Sequence, residues 1–160
     1  MRLESGEQLT GDVLVVATDH ATAARLRGEQ GASTSARGSM TLYFDAPAAP
    51  QRGPWLILNG DGNGLVRTVC VLSEAAPSYA PTGRALISVT TTEQIGAHDD
   101  FVQAVRLCLQ SWFGSHVDGW RHLRTDHIHC ALPAIDLLSA GNGTASPRVA
   151  AGLYLCGDYR

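Results

Sequence analysis

The chain contains no lysine: all 12 of its basic residues, in a length of 160, are arginine. Schiff-base chemistry and a phosphate-gripping P-loop lysine are therefore excluded within this sequence. It also lacks any C-x-x-C pair. The four cysteines, Cys70, Cys108, Cys130 and Cys156, lie far apart, each within an apolar run. That spacing argues against a zinc or thioredoxin-type site and for buried free thiols in a reducing compartment. No apolar stretch is long enough to cross a bilayer and no signal peptide is visible, so the expected location is cytoplasmic, with peripheral membrane attachment left open. Charge of either sign is in short supply. A net charge of −3 is too small to suggest nucleic acid or an anionic membrane surface as partner. Finally, no G-x-G-x-x-G follows a strand, so the turn that grips a dinucleotide pyrophosphate is missing.

What remains is an ordinary globular composition, 44% hydrophobic and rich in Ala, Gly and Arg, as in a GC-rich bacterial genome. Residues 2–7 look like part of a β-hairpin. Residues 9–18 hold Val13-Leu14-Val15-Val16-Ala17, a continuous run typical of a strand buried on both faces. Asp19 can cap a short helix through Ala21, Ala24 and Leu26 that ends at Gly28. Residues 31–39 read as a polar loop.

The middle of the chain has another style. Residues 41–45 alternate, with Leu42 and Phe44 on one face and Tyr43 on the other. Residues 55–59 and 65–72 are strands around Gly60-Asp61-Gly62-Asn63-Gly64, a hairpin signal because these residues accept positive φ. The same five residues lack the acidic spacing of a calcium loop. Residues 85–91 form another strand. Residues 99–113 are the clearest helix, with Phe101, Val105, Cys108, Leu109 and Trp112 on one stripe and Gly114 suited to the C′ position. Residues 119–132 read as a strand stopped by Pro133, and residues 139–147 as a surface loop. The last strand, residues 153–156, returns to the all-apolar style of the first.

The expected fold class is α+β: a mixed, largely antiparallel sheet with a packed helix, plus edge strands of a Rossmann-like domain. Residues 1–39 and 148–160 would belong to the cofactor domain, and residues 40–147 to a substrate-binding domain with its return loop. The closing Gly157-Asp158 leaves an apolar strand with nothing after it, which reads as a piece of a larger protein.

Three segments carry a resemblance. Residues 5–18, with Gly11-Asp12-Val13-Leu14-Val15-Val16-Ala17-Thr18, residues 120–133, and Gly152 through Asp158 resemble parts of the flavin-containing amine oxidase superfamily, and within it the phytoene desaturase-like FAD-dependent oxidoreductases. The resemblance implies FAD as cofactor in the intact enzyme. It implies that Asp158, with Gly157, contacts the ribityl–pyrophosphate region, and that Ala17 and Thr18 line the adenine side. It also implies hydride removal from a C–H or C–N bond of a small-molecule substrate, either hydrophobic or an amine. The fragment alone would be inactive, and no catalytic residue is identifiable.

Other readings stay open. Asp158 also suits a turn that caps a following helix. His127 and His129 share one strand face at a spacing that can chelate a metal, but no third ligand has matching spacing, so no metal is expected and the face would instead line a substrate cavity. Trp55, Trp112 and Trp120 are expected in the core. The rival to the oxidoreductase is a self-contained, non-catalytic α+β binding domain without cofactor. The first and last strands discriminate: pairing with each other, apart from the middle sheet, favours the split-domain reading. No sequence feature sets an oligomeric state.

Overall fold

The computed structural model describes residues 2–29, 36–62, 64–92, 99–133 and 146–157. In chain order the regular elements are β1 (Leu14–Val16), α1 (His20–Leu26), β2 (Ala36–Ala46), β3 (Leu56–Leu58), β4 (Val66–Val71), α2 (Leu72–Ala75), β5 (Ala85–Thr92), α3 (Asp99–Phe113), β6 (Arg121–Pro133), β7 (Arg148–Ala150) and β8 (Leu153–Leu155). Short 3₁₀ turns cover Pro77–Tyr79 and Gly114–Gly119. Two compact units result: Met1–Ala36 with Leu132–Arg160, and Arg37–Ala131. Among the described residues no helix is long and apolar enough to cross a membrane.

In the split unit, β1 and β8 pair with each other in parallel, with Val16 opposite Leu155, and β7 adds an antiparallel edge to β8. This three-stranded sheet is separate from the five-stranded sheet of the other unit. The two strands approach closely at Gly152. Its φ is +70°, and a Cβ there would lie 2.8 Å from the Asp12 carbonyl oxygen, so only glycine fits without displacement. Asp19 caps α1 by accepting from the Thr22 amide at 2.9 Å, and that hydrogen bond lowers its pKa. Gly28, at φ +73°, follows the helix. Val16, Ala23 and Leu155 form the small core.

The apolar run at residues 13–17 departs from expectation. Only Leu14–Val16 is strand, and Val13 and Val15 are 59% and 56% exposed. Packing from Ala23 and Leu155 reaches one side of β1, so the alternate residues face outward. The pattern was that of a doubly covered strand; within this unit the cover is single.

The other unit is a five-stranded sheet in the order β3-β4-β5-β2-β6. Strands β2, β5, β4 and β3 pair antiparallel, each with its neighbour. Period-2 alternation sends Leu42, Phe44 and Ala46, with Val69, Val71, Ile87 and Val89, to one fully buried face. Each large apolar side chain so buried contributes ~1.5–3 kcal/mol relative to exposure. Helix α3 adds Val105 and Leu109 to this core, with Phe101, Cys108 and Trp112 half-buried beside it. Gly114, at φ +59°, ends the helix. Arg106 ties the helix to the turn that follows. Its guanidinium donates to the carbonyls of Val117 and Trp120 and lies 5.4 Å from the Phe44 ring centroid.

The opposite face is half-buried and carries hydroxyls. Tyr43 lies opposite Ser88 and Ser88 opposite Cys70, while Thr41, Thr90 and Thr68 make the next row. Elsewhere the local reading shifts. Residues 36–39, read as loop, begin β2, and Leu72, read as strand, opens α2, where the Ser73 hydroxyl accepts from the Leu86 amide at 3.1 Å. Strand β7 was not anticipated. Most of the expected loop at 139–147 lies outside the described residues, apart from Ser146 and Pro147.

Candidate functional site

Elementary sheet geometry brings three of the four expected cofactor residues together. The amide of Cys156 donates to the Val16 carbonyl at 3.0 Å, one residue beyond the paired strands. Ala17 and Thr18 therefore leave β1 beside the point where Gly157 leaves β8. Both strands run the same way, so this is the carboxyl-terminal mouth of a parallel pair, the usual ligand position in open α/β sheets. Ala17 and Gly157 are exposed and Thr18 is half-buried, its hydroxyl donating to the Asp19 carbonyl at 3.2 Å. Asp158, the fourth residue, lies outside the described residues.

Among the described residues of the unit 37–131, one cavity of about 500 Å³ is walled by Trp55, Ile57, Leu58, Trp112 and Phe113, with Asn59 and Asp61 supplying polar groups. Tryptophan 55 is 61% exposed and is not the core residue expected; Trp112 is half-buried against the core, and Trp120, at 3%, lies within it. An edge strand explains the difference: β3 has a neighbour on one side only, and the indole preceding it stands at the rim. Gly53 sets the approach. At φ +96° it donates to the Glu74 carboxylate at 2.8 Å, and a Cβ there would meet the Trp55 indole nitrogen at 2.5 Å. The hairpin reading of residues 60–64 matches the antiparallel β3–β4 pair, with Gly62 and Gly64 both at positive φ.

Another cavity, about 250 Å³, holds a cluster that sequence reasoning missed. Asp45 accepts from Arg84 Nε at 2.8 Å and from Arg121 Nη2 at 3.0 Å, and Arg84 Nη2 closes a second contact at 2.7 Å. The Arg84 hydrogen bond, then that of Arg121, holds the Asp45 carboxyl down to about 2, and the same contact raises Arg84. Arg84 and Arg121 lie 39 and 76 positions beyond Asp45 in sequence, and each of the three is an unremarkable surface type. Only strand order brings them together, with Asp45 at the end of β2, Arg84 just before β5 and Arg121 opening β6.

The histidine pair lies on an exposed stretch of β6, its ring centroids 3.9 Å apart. Among the described residues no group of three His, Cys, Asp or Glu gathers as metal ligands. The cysteines are free but not buried as expected: Cys130 and Cys156 are exposed, Cys70 and Cys108 half-buried. Cys156 sits at the strand mouth and Cys130 on an edge strand, positions with no cover on one side.

The whole chain, residues 1–160, matches the family model of flavin containing amine oxidoreductases. No curated protein matches it. Its fold is similar to that of a Pyrococcus furiosus protein (TM-score 0.66, 14% identity, covering 98% of this chain and 37% of that one). It is also similar to an oxidoreductase from Methanosarcina mazei (TM-score 0.60, 14% identity, 92% and 38% covered). A third likeness is to reduced UDP-galactopyranose mutase (TM-score 0.57, 12% identity, 82% and 32% covered). The chain thus spans about a third of the length of these structures.

Proposed function

Because the chain belongs to the flavin-containing amine oxidoreductase family, we propose that it forms part of an FAD-dependent oxidoreductase, with the mouth of β1 and β8 as its share of the cofactor site. The observation that carries this reading is the convergence of Ala17, Thr18 and Gly157 at the carboxyl ends of two neighbouring parallel strands.

The residues present fit one portion of such a cofactor. Small side chains at Ala17 and Gly157 let a ligand come close to backbone, and the Thr18 hydroxyl offers a polar contact. Asp158 follows directly and would accept from the hydroxyls of the ribityl–pyrophosphate region. The pyrophosphate itself needs a glycine-rich turn at a helix N-terminus, and this sequence has no G-x-G-x-x-G. The chain's own contribution is therefore partial.

The chemistry supplied by the bound group is removal of a hydride from a C–H or C–N bond. The protein's part is to hold the substrate and exclude water. For that role we assign the hydroxyl-bearing face of the five-stranded sheet, where Thr41, Tyr43, Ser88 and Thr90 stay half-buried while the opposite face is dry. Such a face suits a small organic molecule, whether an amine or a hydrophobic, phytoene-like hydrocarbon, in a cytoplasmic enzyme.

The test is flavin content in the full-length protein encoded by the gene. Asp158→Ala should weaken flavin retention by about 1.5–3 kcal/mol, the range of one charge-assisted hydrogen bond, read as lower flavin absorbance per protein. Equal loading and equal affinity in wild type and variant would reduce Asp158 to an ordinary turn residue and remove the cofactor role from this strand mouth.

A further inference from the structure

The cluster at Asp45 is unbalanced in a way that an ordinary ion pair is not. Two guanidiniums, Arg84 and Arg121, face one carboxylate, and among the described residues no other charged residue lines the cavity. One positive charge is left over. The hydrogen bonds are equally lopsided. Both Asp45 oxygens are engaged, whereas each arginine places only Nε and Nη2 on it. The Nη1 donors of Arg84 and Arg121 have no partner among the described residues. Exposure differs too: the Arg84 side chain is 38% exposed and the Arg121 side chain 72%.

The walls narrow the choice of ligand. Tyr79, Pro81, Leu86 and Leu123 give the cavity an apolar side, and Tyr79 and Leu123 are 61% and 45% exposed at its rim. Its volume, about 250 Å³, lies below the ~300 Å³ at which drug-sized pockets begin. A single surplus charge matches a monoanion and leaves a dianion under-compensated. Arginine presents its donors as a planar fork that fits a carboxylate.

We propose that this cavity binds a small amphipathic monoanion, an organic carboxylate whose head takes the free donors of Arg121 and Arg84 and whose apolar tail lies against Tyr79, Leu86 and Leu123. Asp45 is then a positioning residue. It holds the two guanidiniums apart at fixed geometry and sets the surplus at one charge. The site stands at the Ala46 end of β2, eight residues from Arg37 where the unit begins. It is independent of the flavin reading and does not require that reading to be correct.

Hexanoate, hexanol and inorganic phosphate are suitable probes, titrated into the protein and followed by calorimetry and by the Nε–H resonances of ¹⁵N-labelled arginines. Hexanoate should bind saturably, shift the Arg121 and Arg84 resonances, and weaken with added salt. Hexanol and phosphate should each bind at least about tenfold more weakly, since each lacks half of the match. Arg121→Gln should cost hexanoate about tenfold or more, and Leu123→Ser a few-fold, by removing part of the wall. Equal affinity for hexanoate and hexanol, hexanoate binding that ignores Arg121→Gln, or no hexanoate binding would each overturn the proposal. If Arg121→Gln fails to fold, the salt dependence and the arginine resonances of the wild type decide it.

Discussion

The two units solve burial differently. Residues 37–131 write their core as alternation: in β2, Leu42, Phe44 and Ala46 point one way and are fully buried, in one core with Val105 and Leu109 of α3, while Tyr43 and Asp45 point the other. The split unit writes its strand as an unbroken run and buries only Val16 of β1, leaving Val13 and Val15 more than half exposed. Alternation is a self-sufficient pattern, because it specifies one dry face and one wet face within the sheet that carries it. A continuous run specifies two dry faces and takes its second cover from outside the strand's own neighbours.

That comparison can be broken by truncating one buried side chain in each core. Phe44→Ala should destabilise the five-stranded unit by ~3–5 kcal/mol, the range for a buried aromatic left as a cavity. Val16→Ala should cost only about 1–2 kcal/mol, two methyl groups at ~0.8 kcal/mol each. Denaturant melts followed by amide exchange in each unit separate the two effects. Equal losses would mean that the thin core is as well packed as the thick one.

Gly53→Ala sharpens the contrast between buried and rim aromatics. A Cβ at Gly53 enters the space of the Trp55 indole, and φ +96° is strained for any side chain. The half-exposed indole can swing away, so the cost is mainly backbone, roughly 1–2 kcal/mol, accompanied by altered Trp55 fluorescence. Unchanged emission would show that the indole does not rest on the glycine.

The smallest effect expected is in acid. Asp45 titrates at about 2 in the folded protein against an ordinary 3.8. A depressed carboxyl stabilises the fold fully above its unfolded pKa and loses that contribution as pH falls from about 3.8 through about 2. Stability should therefore rise with pH across that window, and Asp45→Asn should flatten the rise. The same acid limb in wild type and variant would place the acid sensitivity elsewhere.

Much of this molecule was legible in advance, for local reasons. Helix α3, the hairpin at residues 60–64 and the Asp19 cap each announce themselves within a dozen residues. The pairing of β1 with β8 spans almost the whole chain, yet the shared apolar style of the two ends marked it. What stayed hidden depends on edges and on strand order. Trp55 reads like a core tryptophan until β3 is known to be an edge. Strand β7 has only three residues, all exposed, and no pattern to find. Asp45, Arg84 and Arg121 carry no spacing signal, because the order β5-β2-β6 alone makes them neighbours.

The claim that the split unit holds the cofactor is tested most directly by hydrogen exchange on the full-length protein, with and without bound flavin. Amides of residues 16–18 and 156–157 should gain protection when flavin binds, while those of Leu42, Phe44, Ile87 and Val89, already buried in the other sheet, should not change. Protection confined to the five-stranded sheet, with none at the mouth of β1 and β8, would contradict the assignment.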